Sequence, residues 1–393
     1  MQRRRFLKGT GAVIILVAGG GVWRAFDRGV LHIGREPAYE PWENWRGEAN
    51  EGPLALVRAA ILAANANNTQ PWLFKVTPSA IELYADKRRN TGAFDPYLRE
   101  LYISLGCALE NLLLAGEANG YKASVTLVPG KLDGIPANPG IDLVARVDLQ
   151  QTERQANELH SAIPRRHTNR FPFDVQKPIP VDFIETLGGA TSDQPDVRVF
   201  LFTAEAERKR VVQIIGQSVE EILHSYPEMF KANAPWFRDW HSAEKAHDGI
   251  TLDDIGQPPL ATALFKFLPR SMDKMLSPLT IKLSYVDLMM TGRLLGAVAV
   301  RDRYEQSQNV RAGRIWQRAH LLATAHGLAG RPANQAAELV DQERLHDKEP
   351  KTAAALATVT GDAGWQTTFM FYMGYATHQA HPTVRRSVQE VVV

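Results

Sequence analysis

The spacing of apolar residues predicts helices and strands that alternate from about residue 53 to residue 150. Apolar positions recur at helical spacing from Pro53 to Ala64, which predicts an amphipathic helix. Residues Leu73 to Val76 and Ile81 to Tyr84 alternate in the manner of strands on either side of a turn, which predicts a strand pair. This part of the chain therefore has the pattern of an α+β fold.

A second, longer helix is predicted from about Leu98. Its part from Gly106 to Tyr121 is apolar on nearly every side, and a helix of that kind is buried at the centre of a domain. Gly120 is a residue type that often ends a helix. Strands predicted at Ser124 to Val128 and Ile141 to Val147 close this half of the chain.

The second half of the chain echoes the first. The glycine spacing of the long helix recurs there, with two apolar residues matched between the glycines: Gly106, Leu114, Ala118 and Gly120 correspond to Gly313, Leu321, Ala325 and Gly327. A helix and a Gln-Pro turn at residues 184–197 add a looser echo. The pattern favours an internal duplication, in which one chain imitates a homodimer. Because few residues are identical, chance resemblance stays open as the alternative.

An excess segment at about residues 225–310 interrupts the second half. It is too long for a simple connection, and insertions of this size fold over a site or form a helical cap. Its aromatic residues Trp236, Phe237 and Trp240 favour a packed lid. A purely structural excursion is the alternative interpretation.

The predicted first helix ends in a run of amide side chains that leads directly into the first strand. Asn65, Asn68 and Gln70 lie within this short span. Their side chains offer several hydrogen-bond donors and acceptors close together, as the binding of a planar heterocycle requires. A plain helix C-terminal turn accounts for the same residues, because asparagine favours such turns. This stretch alone leaves both interpretations open.

Composition narrows the functional classes. The chain has 393 residues, 45% of them hydrophobic, and a net charge of +2, which suffices for one large or two ordinary globular domains. Such a balanced charge gives no reason to expect a nucleic-acid partner. The single cysteine, Cys107, excludes an internal disulfide, and its helical apolar setting predicts an inert thiol. The histidines are scattered without acidic or cysteine support, so no metal site is predicted.

The N-terminus has the pattern of a targeting segment. Arg3-Arg4-Arg5-Phe6-Leu7-Lys8 precedes a short apolar run, and this order resembles the twin-arginine (Tat) export signal. We therefore predict a signal segment at residues 1–32, with the Tat translocase as a partner during export. The expected location is the periplasm or the outer face of the cytoplasmic membrane. An ordinary secretory peptide or an uncleaved anchor is the alternative.

Two basic clusters lie in the second half. Arg165, Arg166 and Arg170 surround Thr168 in one cluster, and Arg385-Arg386 form the other. Guanidinium groups bind phosphate through paired hydrogen bonds, and a threonine hydroxyl supplies another donor, so the clusters suit a phosphate monoester. A solvated basic turn and a solvated tail are the alternatives.

Together these stretches resemble the nitroreductase superfamily of FMN proteins, and more closely its Acg-like branch of fused double modules. The resemblance rests on residues 68–74, 106–121, 165–171 and 382–391. It implies an α+β nitroreductase-like fold in which two fused modules form a pseudo-dimer. The modules are expected at residues 33–150 and 151–393, with the lid insertion at about 225–310 in the second module.

The resemblance also implies a role for each matching residue. Arg166 and Thr168 would face the phosphate and ribityl chain of FMN, and Arg170 would lie near the N1/O2 edge of its ring, where a positive charge stabilises the reduced anion. Asn65 and Asn68 match the stretch that a partner subunit contributes in homodimers. The first module would therefore complete the cleft of the second.

The remaining carried-over positions support this single cleft. Gln70 would hold the amide turn, while Pro332 and Ala333 lie where the family offers backbone N–H groups to flavin N5, the reactive centre. Arg385 or Arg386 matches the C-terminal basic residue on the phosphate. No side chain is assigned a catalytic role. The first module's own echo lacks an arginine pair, so one flavin site per chain is expected.

The implied activity is two-electron transfer from a small-molecule donor to a nitroaromatic, a quinone or a similar acceptor, by a monomer that acts as a pseudo-dimer. Export separates the protein from cytoplasmic NAD(P)H, so a membrane quinol or another reductant is an alternative donor. A non-enzymatic FMN-binding or sequestering protein, with a flavin blocked by the lid, is the competing interpretation. A structural protein with a dead cleft is the third.

Overall fold

The fold is taken from a computed structural model, which describes residues 29, 37–46, 52–191, 194–267 and 286–393. The predicted signal segment, residues 1–32, lies outside the described residues except for Gly29. The Tat signal therefore stays a prediction.

Each half of the chain forms one four-stranded antiparallel sheet. The first sheet has the order β1-β2-β4-β3 and the second the order β5-β6-β8-β7. The strands are β1 (Trp72–Thr77), β2 (Ala80–Asp86), β3 (Tyr121–Leu127), β4 (Ile141–Gln151), β5 (Val197–Phe202), β6 (Leu294–Val300), β7 (Ala329–Pro332) and β8 (Gln366–Gly374). The central pair of each sheet also carries a register shift, after Leu83 and after Val298. The α+β fold class is confirmed, and the matched sheets are consistent with two fused modules.

Helices cover both sheets. Those that frame the site and the core are α1 (Leu54–Ala60), α2 (Arg99–Asn119), α3 (Val181–Gly188), α4 (Glu205–Ser225), α5 (Gln306–Ala325), α6 (Gln335–Leu345) and α7 (Lys351–Thr360). Further helices lie at Glu40–Glu43, Glu158–Ala162, Pro227–Asn233, Trp240–Ala246, Pro259–Phe267 and Val388–Val391, and residues 286–291 are also helical.

The two long helices α2 and α5 cross at the glycines that the sequence pattern matched. A Cβ atom on Gly106 would lie 2.0 Å from the backbone oxygen of Val310, and one on Gly313 would lie 2.0 Å from that of Ile103. Only glycine allows two helix backbones to approach so closely at these positions. The equivalent residues of the two modules thus meet at the centre of the molecule.

A single hydrophobic core joins the two modules around this crossing, and it contains residues of both sheets. Helix α2 is long and apolar enough to cross a membrane, but 83% of its most apolar window is buried inside the protein, as in a core helix. Cys107 is buried on α2, where its thiol donates to the backbone oxygen of Gly313 at 3.3 Å. Burial raises the pKa of this thiol well above its usual range.

The predicted lid range of about 225–310 is wrong at its C-terminal end. Strand β6 lies inside that range, yet it pairs with β5 and β8 at the centre of the second sheet. All seven residues of β6 are buried, so the strand reads as a continuous apolar run without alternation. We use "lid" for residues 226–267, which follow α4 and precede β6.

The end of the second module returns to the first. Val392 forms a parallel bridge with Phe74 of β1, and the backbone N–H of Val393 donates to the Phe74 oxygen at 2.9 Å. Trp42 donates from Nε1 to the oxygen of Thr383 at 2.7 Å. The stretch 382–393, which we call the C-terminal segment, is therefore part of the first module's wall.

Candidate functional site

Two adjoining cavities lie where the end of α1, the lid and residues 165–170 meet. We call residues 165–170 the arginine turn. The smaller cavity has about 560 Å³ of empty space and the larger about 780 Å³, in each case including space open to solvent. They share Ala64, Asn65, Thr168 and Arg170 as lining residues, so they form one continuous cleft. We call this the main cleft.

The amide turn between α1 and β1 forms because asparagine tolerates left-handed backbone. Asn67, Asn68 and Gln70 have φ angles of 45°, 56° and 50°. The Asn65 side chain closes the turn, since its Oδ1 accepts from the backbone N–H of Gln70 at 2.9 Å. This geometry turns the chain sharply from the helix into the strand and places Asn65 on the wall of both cavities.

Asn68 uses its amide to join the lid to the C-terminal segment. Its Nδ2 donates to the oxygens of Gly249 at 3.0 Å and Val384 at 2.9 Å, and its Oδ1 accepts from Arg385 Nη1 at 2.5 Å. The backbone N–H of Gly249 donates in return to the Asn68 oxygen at 3.1 Å. Asn68 lines the smaller cavity, but its polar atoms already hold these neighbours together.

Gln70 and Arg386 lie behind the wall of the cleft. Gln70 is fully buried; its Nε2 donates to the oxygen of His247 at 2.7 Å and its Oε1 accepts from the Arg386 N–H at 2.8 Å. The Arg386 guanidinium donates to the backbone oxygens of Gln70 at 3.1 Å and Glu390 at 2.6 Å. Neither residue lines either cavity, so both act on the site by holding the turn.

Arg166 and Arg385 bring buried positive charge to the smaller cavity. Their exposed fractions are 2% and 3%, and neither forms a salt bridge in the part of the chain that the structure describes. Arg166 donates from Nη2 to the Leu62 oxygen at 3.1 Å, while its Nε and Nη1 and the Nε of Arg385 have no hydrogen-bond partner among the described residues. Buried cations in this state are costly unless an anion compensates them.

The pKa values of Arg166, Arg385 and His167 at the smaller cavity are lowered, because burial disfavours their charged forms. Burial lowers the pKa of Arg166 to about 10 and, together with the neighbouring Arg166 charge, that of Arg385 to about 9. Burial and then the same two guanidinium groups lower the pKa of His167 to about 3. His167 is therefore neutral near pH 7, and its ring packs edge-on against Trp42 at 4.7 Å between centroids.

The lid closes directly onto Arg170. The Nη1 of Arg170 donates to the backbone oxygen of Asp254 at 2.9 Å. Gly256 has a φ of +77°, and a Cβ atom there would lie 2.1 Å from the Arg170 backbone oxygen. Only glycine fits this contact. The lid thus meets the arginine turn where the two cavities join, and Asp253 and Asp254 line the smaller one.

The β7–α6 junction forms the far wall of the larger cavity. Pro332 lines it, whereas Ala333 is buried and donates its N–H to the Met370 oxygen at 2.8 Å, so this N–H faces the sheet. Asn334 and Gln335 line the cavity instead, at the start of α6. The first N–H groups of a helix have no partner within the helix. The backbone N–H groups without an intrahelical partner therefore begin at the start of α6 and not at Ala333.

Sequence reasoning missed the acidic residues of the cleft. Glu100 and Glu338 line the larger cavity, and Asp253 and Asp254 come from the lid. A sequence signal was available for Glu338, because it stands between Ala337 and Leu339 in an apolar part of a helix. No such signal was available for the juxtaposition of Glu338 and Glu100, since they lie in different modules.

The residues present fit a bound FMN. Orphaned guanidinium nitrogens at the smaller cavity suit its phosphate, and the larger cavity offers the aromatic faces of Trp316 and Phe369 with polar groups at Asn65 and Thr168. The structure brings together Asn65, Asn68, Arg166, Thr168, Arg170, Pro332 and Arg385, and it sets Gln70, Ala333 and Arg386 behind them. Fold and site together define an α+β protein whose two four-stranded sheets are consistent with two fused modules, with a cleft lined by two buried arginines.

The sequence has relatives in Mycobacterium tuberculosis (strain ATCC 25618 / H37Rv). It is 34% identical over 113 residues to "Putative NAD(P)H nitroreductase Rv3131", which is 28% of this chain and 31% of that protein. It is 26% identical over 211 residues to "Uncharacterized protein Rv3127", which is 51% of this chain and 57% of that protein. The chain thus spans between about a third and just over half of the length of these relatives. No family model matches the sequence.

Solved nitroreductases give distant structural matches. The FMN-dependent nitroreductase NfnB from Mycobacterium smegmatis, in complex with NADPH, is matched with a TM-score of 0.37 and 14% identity over 59% of this chain and 96% of that one. A nitroreductase with bound FMN from Bacteroides fragilis gives 0.34 and 14% over 59% and 95%. At this distance the likenesses support no statement about the site.

Proposed function

We propose that this chain is an FMN-binding oxidoreductase of the nitroreductase type, which carries out the two-electron reduction of a nitroaromatic, a quinone or a similar conjugated acceptor. The observation that carries the proposal is the pair of buried guanidinium groups, Arg166 and Arg385, with unpartnered nitrogens at the smaller cavity. A phosphate monoester would supply both the negative charge and the acceptor oxygens that these groups lack.

The remaining lining residues support a flavin ring in the larger cavity. Bound FMN supplies hydride and electron transfer. Arg170 places a positive charge where the cavities join, and such a charge favours the reduced, anionic form of the ring. Asn65 and Thr168 line the same junction, and the start of α6 lines the larger cavity. The lid contacts Arg170 at the arginine end.

The donor we propose is a nicotinamide dinucleotide, in line with the NAD(P)H in the name of one mycobacterial relative. Export of the folded protein by the Tat translocase to the periplasm is also a proposal, supported by the pattern of residues 1–32. The two proposals compete, because an exported protein is separated from cytoplasmic NAD(P)H. A reduced membrane quinol is the donor that export favours.

The lid favours a second candidate, a protein that binds or sequesters FMN without turnover. Its contacts with Arg170 and with the amide turn hold it shut over the arginine end of the cleft. A flavin in such a protein would be protected from donors. The two candidates differ only in whether donors reach the ring.

The visible absorption spectrum of the purified protein, with the released chromophore identified, tests the proposal. We expect a flavin spectrum and FMN as the released compound, with bleaching by NADH, NADPH or a reduced quinone. Reduction by dithionite alone would favour the sequestering protein. Colourless protein that fails to bind added FMN would reject both candidates.

A further inference from the structure

Two glutamates of different modules form a carboxyl pair on the wall of the larger cavity. Glu338 on α6 and Glu100 on α2 are exposed by only 2% and 7%, and both line this cavity together with Arg170 and Pro332. Burial and then the charge of Glu100 raise the pKa of the Glu338 carboxyl group. A second buried charge beside an ionised carboxylate is unfavourable, so a proton on one of the two glutamates stabilises the pair.

The buried charges around the pair indicate which glutamate holds the proton. Arg99 and Arg303 contact Asp341, with Nε–Oδ2 at 2.8 Å and Nη2–Oδ1 at 3.0 Å, and Arg99 Nη2 lies 3.5 Å from Glu100 Oε1. Two guanidinium groups thus balance the carboxylates of Asp341 and Glu100. Glu338 forms no salt bridge among the described residues, and its Oε2 has no donor there. A buried carboxyl without a cation is stable only when neutral.

Two further observations agree with a neutral Glu338. Asn334 donates from Nδ2 to Glu100 Oε1 at 3.0 Å, which stabilises the ionised form of Glu100. Burial raises the pKa of Glu338 well above its usual value, and the facing carboxyls of Glu100 and Asp95 raise it further, while Arg99 opposes them. Arg170 and Arg331 also line this cavity, but no salt bridge joins either of them to Glu338 in the part of the chain that the structure describes.

We propose that Glu338 is a catalytic acid, which protonates the acceptor during its reduction and regains its proton through Glu100. The inference rests on the proposed function. An acceptor in the larger cavity would lie beside the Glu338 carboxyl. FMN bound in the cleft would supply the hydride that the acceptor needs, and Glu338 would supply the proton as its O–H bond breaks.

The reduction is balanced in electrons and protons for both classes of acceptor. One hydride and one proton equal two electrons and two protons. A quinone then becomes a hydroquinone through two new O–H bonds, and a nitro group becomes a nitroso group as one N–O bond breaks and the oxygen leaves as water with two new O–H bonds. Glu338 is left as a carboxylate until a proton returns.

The first test needs no flavin. In Glu338→Gln the side chain keeps its size and is uncharged, like the protonated acid, so the fold should persist. We expect the infrared carbonyl band of a buried, protonated carboxylic acid in the wild type and its loss in the variant. The spectra are recorded at about pH 8.5, above the pKa of Asp95 of about 7, so that Asp95 does not contribute.

A matched control is Glu343→Gln. Glu343 is also buried on α6, but its carboxylate accepts from Thr352, at 3.1 Å from N and 2.7 Å from Oγ1, away from the cleft. We expect the control to keep the band. A band that survives in Glu338→Gln would overturn the inference.

The second test uses the flavin-loaded protein and separates the two half-reactions. In Glu338→Gln we expect unchanged flavin content and unchanged reduction by the donor, but reoxidation by a quinone slowed by about 100-fold, the usual contribution of a general acid. The solvent deuterium isotope effect on reoxidation should also disappear. Wild-type reoxidation in a flavin-loaded variant would overturn only this inference, whereas wild-type protein without flavin would reject the proposed function as well.

Discussion

The main cleft and the cavity that the matched glycine spacing makes equivalent to it differ in how their arginines are paired. This second cavity, which we call the counterpart cavity, lies between the end of α3 and helix α5 and has about 1040 Å³ of empty space, including space open to solvent. Counted from the central glycines, its Arg311 and Arg314 occupy the places of Ser104 and Cys107, which line the main cleft.

Carboxylates neutralise the arginines of the counterpart cavity. Arg314 Nε lies 3.0 Å and Arg318 Nη2 lies 2.5 Å from the two oxygens of buried Glu110, and Arg311 pairs with Asp196. In the main cleft, Arg166 and Arg385 have no such partner among the described residues. The comparison shows that the presence of several arginines is not sufficient for an anion-binding site. The site needs guanidinium groups that the fold leaves uncompensated.

The largest effect is expected at the helix crossing on which both cavities depend. Gly106→Ala would press a Cβ atom against the Val310 backbone oxygen, so we expect a loss of about 3 kcal/mol in the free energy of unfolding, measured by urea denaturation. Gly116→Ala on the same helix is the control, because a Cβ atom there makes ordinary contacts of 3.6 Å or more. It should be neutral or stabilise by up to about 1 kcal/mol. Equal losses in both variants would contradict the close crossing.

The next largest effect is a loss of FMN affinity, which we expect from a substitution in the main cleft but not from one in the counterpart cavity. Arg166→Ala should weaken FMN binding by about 1.5–3 kcal/mol, or roughly 10- to 150-fold, because a charge-assisted phosphate contact is lost. Arg314→Ala, in the counterpart cavity, should leave FMN affinity unchanged. Fluorescence titration of both variants measures the difference. Unchanged affinity in Arg166→Ala would remove the main cleft as the phosphate site.

A smaller effect concerns acid sensitivity. The pKa of His167 is about 3 in the folded protein against a usual value of 6.5, so the folded chain binds fewer protons than the unfolded chain between these values. The free energy of unfolding should therefore fall as the pH falls through this window, by up to about 1.4 kcal/mol per pH unit. His167→Asn should flatten the profile, measured by urea denaturation from pH 7 to about pH 4.

Asp95 is a control, because its contribution to the free energy of unfolding should change with pH in the opposite direction. Its pKa is raised from 3.8 to about 7, chiefly by burial and then by Glu100, so the folded chain binds more protons between these values. Its contribution to stability is full below 3.8 and declines as the pH rises toward 7. Asp95→Asn should remove this decline. The same change of slope in both variants would contradict the assignments.

The smallest effect is expected in the counterpart cavity. Arg318→Ala should change the free energy of unfolding by less than about 1 kcal/mol, because Arg318 is 42% exposed and Arg314 still pairs with Glu110. Thermal unfolding measures this change. A loss of several kcal/mol would mean that the counterpart cavity is a structural centre and not a neutralised remnant.

The sequence predicted the features that depend on local pattern. The long helix, its glycine spacing and the amide turn follow from periodicity and residue type, and the structure places the turn beside Arg166, Thr168 and Arg170. The lid boundary was wrong because β6 is buried on both faces and lacks the alternation that marks a strand. A pattern of period two cannot identify such a strand.

Contacts between residues far apart in the chain could not be predicted from the sequence. Asn68 matched a family motif, but its hydrogen bonds to the lid and to Arg385 depend on packing that brings three separate segments together. The hydrogen bond between Asn334 and Glu100 joins residues 234 positions apart, and no local signal links them. Residue types therefore predicted which chemistry is present, and the fold decided which groups share a cleft.

The contact between Asn68 and Arg385 also has a consequence for synthesis of the protein. These residues are 317 positions apart, so the ribosome makes the amide turn long before it makes the residue that completes the wall. The cleft cannot assemble while translation is still in the lid, and long-range contacts of this kind form slowly. Cofactor loading should therefore follow translation, and nascent chains halted before Arg385 should fail to retain FMN.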